Sequence, residues 1–357
     1  LIDSSGAIEP ELKIAAEHGS ITLPDEFKSA CDQIAEIILR KAQKLRVRDK
    51  AKEVVIELEE EVVNNDAFQA LWSRIRQRTQ YRVDLDSNKL ITRAVEEIKQ
   101  MPEIKSPQVT SERANMMIND AGVTSEATET SMVLVGGDVT YALPDPIGEL
   151  QDAVNLTRGT IKVILEQCTR FAEFKVDPAT FLAQVGAAIN RAKNEVMVEG
   201  IRYVPLPEEE WHPSSVLEID GSPAYLDQNA WKPKSVGKSL YSYVVYDSAG
   251  VEQQFAKRLD LQEEVVVYAK LPPAFTIDTP LGSYNPDWAY VEESDGVERL
   301  YFVIETKGGT NANPVMRPTE ELKTDCARKH FEALDLGSDF HYGIRATYEV
   351  GRGASRD

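Results

Sequence analysis

Three ionisable side chains near the C-terminal third of the sequence have types and spacing suited to chemistry. Leu300 to Ile304 is almost wholly apolar and reads as a buried strand, yet it runs directly into Glu305, Thr306 and Lys307. Charged side chains are rarely buried without partners. Residues two apart on a strand share a face, so Glu305 and Lys307 project together. Upstream, Tyr284 to Val291 ends in a second strand, and in a paired hairpin Asp287 stands across from that pair. Two carboxylates are hard oxygen ligands of the kind Mg²⁺ takes, with an ammonium beside them. Such a set suits phosphodiester hydrolysis, in which an anionic ester repels hydroxide and the leaving oxygen gains negative charge. On this reading Asp287 and Glu305 hold the metal and the Thr306 carbonyl adds an oxygen. Lys307 orients or helps deprotonate the attacking water. Glu252 reaches the metal directly or through water. The plainer alternative is a surface ion-pair ladder on a hairpin, and for Glu252 an ordinary solvated helix position.

The elements that must position these groups are legible on either side. Ser248 is suited to cap a helix with the stripe Val251, Phe255 and Leu259, beside which Glu252 falls. A strand over Glu264–Lys270 ends at Pro272-Pro273, and the turn Ser294-Asp-Gly296 joins the two arms of the hairpin. A last helix beginning near Thr319, after Pro318, aligns Lys323, Ala327 and His330. Lys323 is a candidate for a DNA phosphate, against the alternative of a solvated lysine. His330 reads as a polar core residue and Cys326 as a small buried hydrophobe. The predicted order from about Tyr241 is therefore helix, three strands, helix, strand.

In that order Asn285-Pro-Asp-Trp-Ala289 followed by Glu305-Thr-Lys307 resembles the PD-(D/E)XK nuclease superfamily. A narrower likeness joins four segments: Val251-Glu-Gln-Gln-Phe-Ala256, Thr279-Pro-Leu-Gly-Ser-Tyr-Asn-Pro-Asp-Trp-Ala289, Phe302-Val-Ile-Glu-Thr-Lys-Gly308 and Leu322-Lys-Thr-Asp-Cys-Ala-Arg-Lys-His-Phe331. Together they look like the endonuclease region of type III restriction enzyme Res subunits, over about residues 240 to 348. Upstream, Leu71-Trp-Ser-Arg-Ile75, Thr79-Gln-Tyr-Arg-Val83 and Leu156-Thr-Arg-Gly-Thr-Ile161 are similar to segments that link motor and nuclease in that family. The resemblance implies a Mg²⁺-dependent endonuclease acting on double-stranded DNA. It also implies a Mod methyltransferase partner and a helicase-like motor portion of the same polypeptide. No complete G-x-x-x-x-G-K-[ST] loop is present, because Gly237-Lys-Ser239 matches only its end and Lys232 stands where the first glycine belongs. ATP is therefore expected only for the motor portion. Lacking the motor motif, the chain looks like the C-terminal portion of a longer Res polypeptide, with which its first residue, Leu1 rather than Met, is consistent.

Over all 357 residues, Lys and Arg total 40 against 59 Asp and Glu, a net charge of −19. That balance argues against phosphate binding over the whole surface, so nucleic-acid contact must be local. Cys31, Cys168 and Cys326 lie far apart with no C-x-x-C pair, and His18, His212, His330 and His341 form no ligand motif. No apolar run approaches the roughly 18 to 20 residues of a membrane span. The expected localisation is cytoplasmic, with no membrane.

The fold class expected is α/β: a mostly helical and mixed α/β N-terminal region followed by a PD-(D/E)XK-like αβββαβ nuclease domain. The domain reading is 1–135, a mixed α/β region linking to or completing a motor; 136–235, a helical linker region; and 236–357, the endonuclease domain. Within the first region, Asp25–Lys52 reads as an amphipathic helix with a basic end, Glu53–Val63 as a strand, Tyr81–Leu85 as a second strand completing a β-helix-β unit, and Lys89–Gln100 as a helix. The polar stretch Val123–Thr130 reads as a loop. Residues 147–167 read as two short helices resembling a helix-turn-helix, with Ala153 at the crossing and Thr157 as N-cap, although an ordinary helical hairpin needs the same residues. A helix over Pro178–Gly200 follows. Two other functional readings stand beside the nuclease: a noncatalytic assembly or DNA-binding module docking the motor and Mod, and a related DNA repair nuclease.

Overall fold

The computed structural model of the chain describes residues 52–106, 108–119, 122–134, 143–219, 224–226, 228–294, 298–311 and 313–348. The helix expected over Asp25–Lys52 lies outside these residues apart from Lys52. The chain is mixed α/β. It runs β1 (Glu53–Val54), α1 (Glu60–Val63), α2 (Asp66–Ile75), β2 (Thr79–Val83), α3 (Ser87–Gln100), β3 (Gln108–Asn119), β4 (Gly122–Leu134), α4 (Pro146–Val154), α5 (Arg158–Gln167), α6 (Pro178–Glu199) and β5 (Ile201–Pro205). It continues through β6 (Ala224–Tyr225), β7 (Ala230–Trp231), β8 (Val244–Val245), α7 (Glu252–Leu261), β9 (Val265–Lys270), β10 (Trp288–Ser294), β11 (Glu298–Thr306), β12 (Gly308–Thr310), β13 (Asn313–Val315), α8 (Pro318–Leu334) and β14 (Phe340–Arg345).

The centre is a four-stranded sheet in the order β14-β11-β10-β9. β9, β10 and β11 are antiparallel neighbours, while β14 returns parallel to β11 after the α8 crossover. Alternation along the strands gives the sheet two apolar faces. On one, Tyr268, Trp288, Tyr290, Phe302 and Ile304 pack against Phe255, Ala256 and Leu259 of α7. On the other, Val267, Ala289, Val291 and Val303 meet Ala327 and Phe331 of α8 and also Phe68, Leu71, Trp72 and Ile75 of α2. The core of this sheet thus draws on residues from both sides of the expected boundary at 235/236, and β7 pairs with β8 across it.

A second cluster is helical. Leu90 and Ile98 of α3, Leu150 and Val154 of α4, Ile161 and Ile164 of α5, and Phe181, Val185 and Ile189 of α6 form its buried centre. The helix-turn-helix-like segment is the α4–α5 hairpin of this bundle. Asn155 turns it in a left-handed conformation, and Thr157 accepts from the Thr160 amide as N-cap. The bundle meets α8 through Val198, Ile201, Tyr203 and Cys326. Beside that seam Gly200 lies against β2, where an added Cβ would stand 2.3 Å from the Asp84 carbonyl oxygen, so only glycine fits.

Three expectations are corrected. Glu53–Val63 is not one strand: β1 pairs briefly with β6, Leu58 bridges Tyr241, and the chain then enters α1. Glu60 and Glu61 occupy the first turn of α1, where carboxylates favour a helix start over a strand. The second strand pairs with β5 rather than β1, so no β-helix-β unit forms. Val123–Thr130 is not a loop but part of β4, paired antiparallel with β3. Its polarity reads as loop, yet Val123, Thr124, Thr128 and Thr130 are β-branched and suit an extended chain. Among the described residues no helix is long and apolar enough to cross a membrane.

Candidate active site

The site forms where β9 and β11 end and β10 begins. Pro272-Pro273 stops β9 after Lys270, and the chain makes a turn closed by the Ile277–Tyr284 bridge. Asn285 fixes this turn by donating from Nδ2 to the carbonyls of Pro272 (3.0 Å) and Phe275 (2.6 Å). Thr279 closes its tip through its hydroxyl, which donates to the Gly282 carbonyl at 2.6 Å. Gly282 adopts φ +93°, a conformation that favours glycine. Asp287 is thereby delivered to the start of β10, and its carbonyl accepts from the Leu271 amide at 2.8 Å.

The β10–β11 register pairs Trp288 with Ile304, so the next positions outward are Asp287 and Glu305. Lys307 follows two residues beyond Glu305. The three sequence-predicted residues are therefore brought to one strand end. They are held in two adjoining charge clusters. In the first, Asp287 Oδ2 accepts from the Thr306 amide (2.8 Å) and hydroxyl (2.6 Å), while Oδ1 accepts from Lys270 Nζ at 3.0 Å. The same ammonium lies 2.7 Å from Glu252 Oε2, in the first turn of α7, and 5.2 Å from the centre of the Trp288 ring. In the second, Glu305 Oε1 pairs with Lys307 Nζ at 3.0 Å and Oε2 accepts from Tyr284 Oη at 2.8 Å. Tyr342 extends this chain, its hydroxyl 2.9 Å from that of Tyr284. Glu320 of α8 closes on Lys307 at 3.5 Å.

Burial and mutual repulsion set the protonation of these groups. Burial, followed by the charge of Asp287, pushes Glu305 up to about 7 despite Lys307 and Tyr284. Glu252 also lies above the ordinary glutamate range, chiefly through burial and partly through Asp287, with Lys270 opposing. Burial works against both lysine ammoniums, but the surrounding carboxylates outweigh it. Asp287 and Glu252 hold Lys270 above the usual lysine value, and Glu305, Glu320 and Asp287 do so for Lys307.

These values imply a stability slope. Folded Glu305 binds its proton more tightly than the unfolded chain does, so that stabilisation is complete below the ordinary value of 4.5 and is lost as pH rises through about 7. In chelator-treated buffer, the urea midpoint of the wild type is expected to fall relative to Glu305→Gln across this window. Parallel pH profiles for the two proteins would show that Glu305 titrates normally.

Mg²⁺ commonly takes only one or two carboxylates and completes its shell with other oxygens. Asp287, Glu305 and the Thr306 carbonyl are hard donors of that kind; burial and, after it, the charge of Asp287 disfavour the ionised Glu305, and a divalent cation offsets both. The residues fit such an ion through two carboxylates. Among the described residues, no group of three His, Cys, Asp or Glu converges on a metal position, and Glu252 is turned to Lys270. Lys323 is separate from both clusters, donating to the Ser283 carbonyl at 3.1 Å from the second turn of α8. His330 is a buried polar core residue with Nδ1 2.8 Å from the Thr79 hydroxyl; burial lowers its pKa to about 3 and keeps it neutral.

Residues 237–349 match the endonuclease-domain family. The match supports a restriction-type endonuclease domain, a hydrolase with DNA as its substrate. No curated protein and no solved structure matches the chain. The matched residues span β8 to β14 and contain both charge clusters. Sequence reasoning missed four of the polar participants, Lys270, Tyr284, Glu320 and Tyr342, of which the first two make the direct contacts to Asp287 and Glu305. Lys270 carried a usable signal: it ends the apolar strand Val265–Ala269 just as Glu305 ends Leu300–Ile304. Tyr284 carried none, since its role depends on the 272–285 turn folding back onto Glu305.

Proposed function

We propose that this chain carries a Mg²⁺-dependent DNA endonuclease of the PD-(D/E)XK type, serving as the cutting portion of a type III Res subunit. In this reading it works in a cytoplasmic complex with a helicase-like motor portion, which uses ATP, and a Mod methyltransferase, which reads the DNA site. The observation that carries the proposal is the cross-strand placement of Asp287 opposite Glu305, with Lys307 ion-paired to Glu305.

Asp287, Glu305 and the Thr306 carbonyl would hold the divalent ion. When bound, it supplies Lewis acidity to the phosphate oxygens and lowers the pKa of the attacking water. The water oxygen bonds to phosphorus and gives its proton to solvent as a P–O ester bond breaks and the leaving oxygen takes up a proton, and the oxygens gaining charge need fixed positive partners. Lys307 provides one. Its pKa is held high, so it acts as an ammonium that orients water and stabilises charge rather than as a free base. Tyr284 fixes the Glu305 carboxylate and Thr306 fixes that of Asp287. Lys323, near the turn that leads into the site, is suited to a neighbouring phosphate.

The test is cleavage of plasmid DNA in Mg²⁺ by the chain alone and in a complex reconstituted with motor and Mod. Weak or no cutting is expected alone. In the complex, Asp287→Asn is expected to reduce the rate by about 10²- to 10³-fold, the range for loss of one charge-stabilising group. Undiminished cutting by that variant refutes the assignment and favours a noncatalytic docking module.

A further inference from the structure

The arrangement around Lys270 assigns it a function of its own. Thr306 occupies Oδ2 of Asp287 with two hydrogen bonds, so Oδ1 is the oxygen on which Lys270 sits. The Lys270, Glu252 and Asp287 side chains keep only 13% to 18% of their surface exposed. A second cation approaching this oxygen therefore meets an ammonium in a weakly screened place, where like charges repel strongly. The ammonium has an alternative. It already lies closer to Glu252, at 2.7 Å against 3.0 Å for Asp287, and above Trp288. Leaving Asp287 would not strand it as an unpaired buried charge.

We propose that Lys270 is a built-in counter-cation that competes with the divalent ion for Asp287, and that Glu252 is its resting partner rather than a metal ligand. This rests on the reading of Asp287 as a metal-holding carboxylate. Lys270 sets how tightly the site takes its metal, and Glu252 makes the exchange possible by receiving the displaced ammonium.

The experiment is titration of the full chain with Mn²⁺, followed by loss of the free aquo-ion EPR signal, with folding checked by near-UV circular dichroism. Lys270→Met keeps the apolar stem and removes the charge, and is expected to tighten Mn²⁺ binding about tenfold or more. Should the methionine variant fail to fold, Lys270→Gln serves the same purpose. Glu252→Gln alone is expected to weaken binding, because the ammonium then stays on Asp287. The double variant decides between roles: it binds as tightly as Lys270→Met if Glu252 only receives the ammonium, and more weakly if Glu252 is a ligand, which overturns that part of the proposal. Unchanged or weaker binding by Lys270→Met overturns the competition. Asp287→Asn separates this from the parent reading: if it abolishes binding while Lys270→Met changes nothing, only the counter-cation proposal fails. If it binds as well as wild type, or if no variant binds at all, both fail.

Discussion

Lys307→Ala is expected to reduce DNA cleavage in the reconstituted complex by about 10²- to 10³-fold, the range for loss of a charge-stabilising group. The size follows from the position of the ammonium. It is fixed by Glu305 at 3.0 Å and Glu320 at 3.5 Å, so it is oriented before substrate arrives. Its removal acts twice. The oxygens gaining charge lose a positive partner, and Glu305 loses the ion pair that opposes its burial, which drives its carboxyl further toward the neutral form. Lys307→Arg keeps the charge but replaces a compact ammonium with a planar fork, and is expected to recover only part of the rate. Single-turnover cleavage in Mg²⁺ measures the loss. DNA binding measured in Ca²⁺ shows whether it lies in chemistry, with affinity expected to change no more than a few-fold. Wild-type cleavage by the alanine variant removes Lys307 from the mechanism.

The parts of this arrangement that were readable in the sequence are those set by local patterns. An apolar run ending in Glu305-Thr-Lys307 marks a buried strand with a charged end, and strand alternation places both charges on one face. Thr157, Pro178 and Pro318 mark helix starts because capping and the fixed backbone of proline act within a few residues, whereas Ser248 accepts from the Val251 amide in the turn ahead of α7, whose N-cap is Val251. What escaped depends on partners distant in the chain. Glu53–Val63 has strand composition but finds pairing only at its ends, and β2 chooses β5 over β1. Lys270 gains its meaning from Glu252 and Asp287, which approach only after α7 docks on the sheet and the 272–285 turn closes. Glu252 was expected beside the metal because helix periodicity gave its side of the helix, whereas its partner depended on that docking.

The same dependence on distant partners predicts a large effect far from the chemistry. Trp72→Ala is expected to destabilise the chain by about 3–5 kcal/mol, the range for removing a large aromatic side chain from a packed core. Trp72 is only 3% exposed and packs within the cluster that covers one face of the sheet, with its ring 6.1 Å from that of Phe275. Phe275 in turn offers the carbonyl that receives Asn285, two residues before Asp287. A cavity at Trp72 thus undermines both the sheet and the turn that delivers the carboxylate, and Mn²⁺ affinity should fall along with the urea midpoint. Trp72→Phe, which keeps much of the volume, should do less. A fragment of residues 236–357 carries the same loss of packing further. It lacks α2 altogether, leaving Val267, Ala289 and Val291 without the helix that packs over them in the full chain. Such a fragment is expected to bind a hydrophobic dye and to unfold without a sharp transition, whereas the full chain shows a cooperative one. A fragment with a sharp transition at the full-chain midpoint would show that the endonuclease sheet needs no cover from α2.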